Sequence, residues 1–223
     1  MILIKRHLVT LPILLSILST ESYYYVTKTN INNNMSIGFV VDNLNGIDVY
    51  FNGGVNNSSG RNTSIDGYNL GIKYQCVEFI KRYYYLRFGH KMPDTMGNAK
   101  DFYNAKLGDG ADNTQRGLIQ YSNGSLTKPQ AEDIIVFAPS LLNPYGHVAI
   151  ISNVFPSTVQ IVQQNPGPFS SSRESFALVN KNGQWFLNNY GIEPVYINGD
   201  FIKENKKLSY GDIIYFFGRI FLF

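Results

Sequence analysis

The sequence of 223 residues is long enough for one sizeable domain, and its composition of 44% hydrophobic and 16% charged residues resembles neither a disordered chain nor a membrane protein. The net charge of +3 is small and no long basic run occurs, so we expect no nucleic-acid partner. Frequent glycine, tyrosine and phenylalanine residues favour a globule rich in strands and loops over a helical bundle.

The N-terminus has the pattern of a targeting segment. A short basic region (Lys5 and Arg6) precedes an apolar stretch from Leu8 to Leu18, which is too short to span a bilayer but suits a signal-peptide core. We therefore expect a signal peptide over residues 1–22, a polar tether over residues 23–36 and a secreted or periplasmic protein without membrane contact beyond the leader. An uncleaved anchor is the alternative. In an oxidising compartment the lone cysteine, Cys76, has no internal disulfide partner, which suggests a reactive thiol.

The first half of the chain predicts short strands, a loop and a helix. Apolar runs between residues 37 and 51 predict strands, and the polar composition of residues 53–66 predicts a loop. Helical periodicity predicts an amphipathic helix from Gln75 to about Phe88, ended by Gly89, and a weaker helix over residues 98–105. We expect the charged residues of the longer helix to face solvent: Glu78, Lys81, Arg82 and Arg87.

In the second half of the chain apolar residues recur at every second position, as in β-strands. Three consecutive strands are predicted over residues 132–139, 147–154 and 158–165, and a later hairpin turns at Asn182-Gly183. A helix followed by an antiparallel meander indicates an α+β fold. Residues 200–223 have the pattern of a C-terminal β extension.

The position of Cys76 suggests two different roles. At the start of a helix, unpaired N–H groups and the positive end of the helix dipole lower a thiol pKa and can receive the negative oxygen of a tetrahedral intermediate. A free cysteine is also among the most frequently buried residue types. Position alone therefore leaves open a nucleophile and a core residue.

A cysteine nucleophile needs a base, and the sequence holds three histidines. His7 lies in the predicted leader, and His90 lies beyond the far end of the helix, roughly 20 Å from Cys76. His147 remains, at the start of a predicted strand and next to Gly146. The alternative for His147 is an ordinary residue at the start of a strand.

Such a base also needs a partner that orients its second ring nitrogen. If Asn153 pairs with Val159 across the predicted turn, His147 lies opposite Asn165. Gln163 then lies two positions away on the same face. A turn tighter by two residues places His147 opposite Gln163 instead, and the remaining alternative is that the string QQN only begins a loop.

The sequence shows no metal-ligand spacing, no phosphate-binding loop and no Gly-x-Ser-x-Gly elbow. We therefore expect no cofactor.

Four strings of the sequence resemble a known family: YQCVEFIKRYYYLRFG, EDIIVF, GHVAIISNV and VQIVQQN. They resemble the CHAP domain, the cysteine, histidine-dependent amidohydrolase/peptidase family, and within it the amidase domain of glutathionylspermidine synthetase/amidase. The resemblance covers about residues 37–197. It implies a papain-like α+β fold over residues 37–199, with N-terminal helices packed on an antiparallel sheet or half-barrel.

The resemblance also implies functional residues. Cys76 is implied as the nucleophile and His147 as the general base, with a third residue from a Glu-x-Asn element that falls on Gln163 to Asn165. Gln75 agrees with the family pattern before the cysteine. The sequence departs from the pattern at Gln163, whose amide can still accept the imidazole N–H but stabilises an imidazolium less than a carboxylate.

We therefore predict a secreted thiol hydrolase that cleaves an amide bond in a peptide or a polyamine amide. The resemblance implies glutathionylspermidine amide cleavage, whereas the leader favours a peptidoglycan hydrolase that acts on cell-wall peptide. A third alternative, a CHAP fold that binds but is catalytically impaired, follows from Gln163. A second departure from the pattern, Glu132 where the family often has Gly, carries no predicted function.

Overall fold

The computed structural model describes residues 17–18, 20–139 and 143–188, together with the backbone of residues 213–215. Most of the predicted signal peptide and most of the predicted C-terminal extension lie outside these residues. No helix within the described part of the chain is both long and apolar enough to cross a membrane.

The secondary structure consists of a few short helices and mostly short strands. In chain order the elements are α1 (residues 20–28), β1 (Val40–Leu44), β2 (Ile47–Tyr50), β3 (Arg61–Thr63), β4 (Asn69–Ile72), α2 (Cys76–Phe88), a 3-10 helix (Ala99–Phe102), β5 (Ala111–Asn113), β6 (Leu118–Gln120), β7 (Ile134–Phe137), β8 (His147–Val154), β9 (Thr158–Gln163), β10 (Arg173–Lys181), β11 (Gln184–Asn188) and β12 (Ile213–Tyr215).

A curled antiparallel sheet forms the centre of the fold, in the strand order β11-β10-β9-β8-β7-β12. Its strands alternate in direction along the chain, and the predicted hairpin turns at Asn182-Gly183, where both residues have positive φ. The α+β prediction and the papain-like arrangement of helix and half-barrel are confirmed.

The period of two in the central strands divides their side chains between two cores. Ile134, Val148 and Ile150 pack with α2 on one face of the sheet. Ile135 and Ala149 pack on the other face with side chains of β9, β10 and β11. Because both faces are covered, these strands carry almost continuous apolar runs.

The helix α2 begins and ends close to the predicted residues. Gln75 has extended backbone angles before its first turn, and Gly89 ends it with a left-handed φ of 65°, donating its N–H to carbonyls of the last turn. The weaker predicted helix is a single 3-10 turn, Ala99–Phe102.

The predicted exposure of the α2 charges is wrong for three of the four residues. Glu78 and Lys81 are 1% exposed and Arg82 is 8% exposed, whereas Arg87 faces solvent. The segment predicted as a loop contains β3, which pairs with β4 and forms a hairpin against this side of α2. Close contact is possible because Gly71, with a φ of 120°, brings the hairpin backbone against Glu78.

The N-terminal segment lies against the loops that precede α2 and follow β9. The backbone N–H of Asn56 donates to the carbonyl of Thr27 (2.8 Å), and the amide of Asn32 donates to the carbonyl of Pro168 (2.7 Å). A Cβ at Gly54 would lie 2.4 Å from the Thr27 oxygen, so this approach requires glycine. The segment 27–32 thus contacts both loops that flank the cysteine end of α2.

Candidate active site

Cys76 is the first residue of α2, and its side chain is buried. The chain enters the helix through Tyr74, which has a φ of 69° that is unfavourable for a non-glycine residue. The backbone N–H of Val148, at the start of β8, hydrogen-bonds to the Cys76 thiol. The thiol therefore lies next to the strand residue that follows His147.

The N–H groups at the start of α2 lower the thiol pKa as expected, but burial of the thiol outweighs them. Burial raises the pKa of Cys76 to about 11, and the hydrogen bonds from the backbone N–H groups of Val148 and Val77 lower it only in part. The free-energy cost of burying a thiolate exceeds the stabilisation that these hydrogen bonds give it. The resting group is a neutral thiol.

His147 begins β8, and Gly146 allows the close turn before it. Gly146 has a φ of 72°, and a Cβ at this position would lie 2.7 Å from the carbonyl oxygen of Phe137. The His147 ring packs at 5.8 Å from the ring of Phe137, and its Nε2 lies 3.0 Å from Oε1 of Gln163. Burial lowers the pKa of His147 to about 4, while the Gln163 hydrogen bond raises it by less. The imidazole is neutral at physiological pH.

The strand register explains why Gln163 meets the histidine. Ala149 pairs with Gln163, so Gln163 lies two positions from His147 on the same face, as the first predicted register requires. The predicted pairing of Asn153 with Val159 is wrong, because a β-bulge at residues 151–153 shifts Asn153 onto Gln160. The bulge lies near the turn and leaves the register at the site unchanged.

The hydrogen bonds of Gln163 determine which of its amide atoms faces the ring. Its Nε2 donates to the backbone oxygen of Ser171 (3.2 Å) and lies 3.4 Å from Oε2 of Glu174. Oε1 therefore faces His147 and accepts the Nε2–H of the imidazole. In this tautomer Nδ1 is the nitrogen with a free lone pair.

Asn165, the other predicted partner, does not contact the histidine. The strand β9 ends at Gln163, and Asn165 adopts a left-handed φ of 60° that turns it toward α2. Its Nδ2 donates to the carbonyl of Val55 and to Oε1 of Gln75, both at 2.8 Å. The pairing of His147 with Asn165 is not formed.

Gln75 belongs to the same amide network. Its Nε2 donates to the carbonyls of Asn57 (2.7 Å) and Val55 (3.2 Å), while its Oε1 accepts from Asn165. Both donor positions of this amide face backbone oxygens of the loop before α2. Gln75 and Asn165 thus join the start of α2 to the end of β9 and do not point at the imidazole.

His90 lies at the other end of α2, as expected. Its Nε2 is 2.8 Å from the carbonyl oxygen of Arg116, and its ring packs on Tyr84. Within the described residues no group of three or more His, Cys, Asp or Glu side chains could hold a metal ion.

Residues 66–165 match the family model described as the CHAP domain, a range that includes Cys76, His147 and the Gln163–Asn165 string. Over these residues the chain is similar to the CHAP domain family.

The curated relatives that this chain matches are much longer proteins. Trypanothione synthetase from Crithidia fasciculata is 32% identical over 133 residues, which cover 58% of this chain and 20% of that protein. The bifunctional glutathionylspermidine synthetase/amidase of Escherichia coli K12 is 31% identical over 103 residues, which cover 45% of this chain and 16% of that protein. The chain therefore matches about a fifth or less of these relatives. The family and the relatives support a hydrolase or amidase.

The candidate site includes a buried cluster that the sequence analysis missed. Gln164 is fully buried, and its Nε2 donates to the carbonyl of Gln75 (3.0 Å) and to the carboxylate of Glu78 (2.9 Å). Its Oε1 accepts the backbone N–H of Tyr50 (2.8 Å). Glu78 in turn lies 2.6 Å from Nε of Arg82. The i, i+4 spacing of Glu78 and Arg82 was visible in the sequence, but nothing there indicated their burial.

Proposed function

We propose that this chain hydrolyses amide bonds with Cys76 as nucleophile, His147 as general base and Gln163 as the residue that orients the imidazole. The observation that supports it best is the hydrogen bond from His147 Nε2 to Gln163 Oε1, which leaves Nδ1 as a proton acceptor. The contact between the Cys76 thiol and the backbone N–H of Val148 also supports the proposal, because Val148 follows His147 in β8.

The reaction begins from a neutral thiol and a neutral imidazole. As the Cys76 sulfur attacks the substrate carbonyl, its proton passes to Nδ1 of His147, and Gln163 holds the imidazolium in place. Backbone N–H groups at the start of α2 receive the oxyanion, because the side-chain N–H groups of Gln75 already face backbone carbonyls. The imidazolium then protonates the leaving amine, and water activated by His147 hydrolyses the thioester.

The proposed substrate is the amide of a glutathionyl-polyamine conjugate. The support is the likeness to the bifunctional synthetase/amidase, whose name includes amidase activity on glutathionylspermidine. An exported enzyme would instead meet cell-wall peptide, and the predicted leader makes peptidoglycan the second substrate to assay.

Purified full-length chain, incubated with glutathionylspermidine and separately with purified peptidoglycan, tests the proposal. We expect release of free spermidine, detected by mass spectrometry, and a thioester on Cys76 trapped by acid quench. Cys76→Ala and His147→Ala should each lower kcat by about 10³- to 10⁴-fold. His90→Ala is the matched control, because His90 lies at the far end of α2. A folded wild-type chain that binds either substrate without turnover would support the binding alternative.

The pH profile of kcat/KM tests the neutral resting pair. Since the pKa of His147 is lowered to about 4 and that of Cys76 is raised to about 11, we expect a broad plateau between these values. A bell centred near neutrality would contradict the neutral pair and indicate a preformed thiolate–imidazolium pair.

A further inference from the structure

The amide of Gln163 separates two different environments. On one side Oε1 faces the His147 ring. On the other side Nε2 meets two acceptors, the carbonyl of Ser171 and the carboxylate of Glu174. Rotating the amide by half a turn would place Oε1 against both acceptors, and these oxygen–oxygen contacts would be repulsive. The two acceptors therefore fix the orientation of the amide, and the amide in turn selects the tautomer of the His147 ring.

The carboxylate of Glu174 forms no ion pair with a cation of the described residues. Glu174 lies in β10 opposite Ile161 of β9, and Gln163 follows Ile161 by two residues on the same face. Its neighbour Arg173 instead forms an ion pair with Asp42, in which guanidinium nitrogens lie 2.9 and 3.0 Å from the carboxylate oxygens. Within the described part of the chain, the side chain of Glu174 hydrogen-bonds only to the Gln163 amide.

A charge in this position acts on the histidine through the amide. A carboxylate beside the NH₂ group polarises Gln163 so that more negative charge accumulates on Oε1. That charge stabilises the imidazolium that forms when His147 takes the thiol proton. Glu174 is exposed and the contact is long, so solvent screens the effect and its size is modest.

We propose that Glu174 is a positioning residue of this site, which fixes the amide of Gln163 and supplies the negative charge that stabilises the His147 imidazolium. The proposal rests on the proposed function for its kinetic consequences. Its structural part, the orientation of the amide and the ring tautomer, stands apart from activity.

Two substitutions at Glu174 separate charge from geometry. Glu174→Gln keeps an acceptor for the Gln163 amide but removes the charge, and Glu174→Ala removes both. We expect Glu174→Gln to lower kcat about threefold at low ionic strength with KM unchanged, and the difference to shrink at high salt. Glu174→Ala should lower kcat further. Asp112→Asn, an exposed carboxylate in β5, is the matched control and should leave kcat unchanged. Wild-type kcat in both Glu174 variants would overturn the proposal.

The nitrogen NMR shifts of His147 provide a readout that does not need turnover. In the wild-type chain we expect the Nε2–H tautomer, and in Glu174→Ala a measurable population of the Nδ1–H tautomer, because the amide is held by the Ser171 carbonyl alone. Asp112→Asn should keep the wild-type shifts. An unchanged tautomer in Glu174→Ala overturns the positioning role even if the chain turns over no amide, and a changed tautomer in an inactive chain refutes only the proposed function.

Exchanging the side chains of residues 163 and 174 tests whether Gln163 and Glu174 act together, because the double variant should rescue the single one. Gln163→Glu alone places two carboxylates side by side at a contact that is now 3.4 Å, so we expect kcat to fall. The double variant Gln163→Glu with Glu174→Gln restores one carboxylate and one amide. We expect it to recover about tenfold over Gln163→Glu. Purely additive losses in the double variant would contradict the coupling.

Discussion

Two buried polar clusters lie against α2, and they hold charge in different ways. In the Glu78 cluster, formed by Glu78, Arg82 and Gln164, the guanidinium lies 2.6 Å from the carboxylate. In the Lys81 cluster, formed by Lys81 and Arg116, both cations donate to backbone carbonyls. Their acceptors are the carbonyls of Asn69, Asp94, Thr95, Met96 and Asp101.

The difference is visible in the protonation of the two clusters. Within the described residues no carboxylate forms an ion pair with Lys81 or Arg116. Burial, together with the nearby guanidinium of Arg116, lowers the pKa of Lys81 to about 8. Carbonyl dipoles satisfy the donors of a buried cation without cancelling its charge.

The clusters also connect α2 to different parts of the chain. The Glu78 cluster joins the helix that carries Cys76 to the residue after Gln163, so it supports the geometry of the site. The Lys81 cluster fastens the segment around residues 94–101 to the far side of the helix. We therefore expect changes in the first cluster to affect activity and stability together, and changes in the second to affect stability alone.

The largest effect is expected for Glu78→Ala. It leaves Arg82 buried without its carboxylate and removes an acceptor of Gln164, so unfolding should become easier by about 3–5 kcal/mol. Urea unfolding measures the loss, and amidase assays on the folded fraction should show a reduced kcat. Glu78→Gln, which keeps the hydrogen bonds but not the charge, should lose less. Equal losses in the two variants would contradict an ionic role.

A smaller effect is expected for Lys81→Met. The change removes a desolvated cation but leaves the carbonyls of Asn69 and Thr95 without their donor. Because the two consequences oppose each other, the free energy of unfolding should change by roughly 1 kcal/mol near neutral pH. Amidase kcat should stay at the wild-type value. A large loss of kcat in Lys81→Met would refute the separation between the clusters.

The pH dependence of stability distinguishes the Lys81 cluster further. The folded-state pKa of Lys81 is about 8 and its ordinary value is 10.5, so between these values the unfolded chain binds more protons. The free energy of unfolding therefore gains a contribution that rises with pH through this window. We expect wild type to gain roughly 1–2 kcal/mol relative to Lys81→Met between pH 8 and pH 10. If the free energies of unfolding of the two proteins changed with pH in the same way, Lys81 would not titrate in this range.

The smallest effect is expected at the exposed ion pair of α2, Arg87 with Glu132. Glu132 has a left-handed φ of 73°, which explains why glycine suits this position, and its carboxylate accepts from Tyr83, Asn45 and Arg87. Glu132→Gly relieves the backbone strain and loses these hydrogen bonds, so the free energy of unfolding should change by less than about 1 kcal/mol. A loss as large as that of Glu78→Ala would mean that exposure does not separate the two ion pairs.

Much of the fold and part of the site were predictable from local patterns. The helix from Cys76 to Phe88 follows from helical periodicity and from Gly89, and the β8–β9 register near the site follows from strand parity. Neither pattern indicated the β-bulge after Ile151 or the hairpin that covers Glu78. Both depend on which distant segment packs against the strand or helix, and the local sequence of a strand or helix does not identify that segment.

The sequence by itself determined that Cys76 lies in the first turn of a helix, that His147 begins a strand and that Gln163 has the right parity to lie on the same face as His147. These properties depend on neighbouring residues and their periodicity. Only the tertiary structure decided that Gln163 and not Asn165 meets the ring, that Glu174 lies behind the amide, and that the thiol and the imidazole are both neutral. Hydrogen-bond partners and desolvation are set by the segments that fold over a side chain, and these segments are remote in sequence.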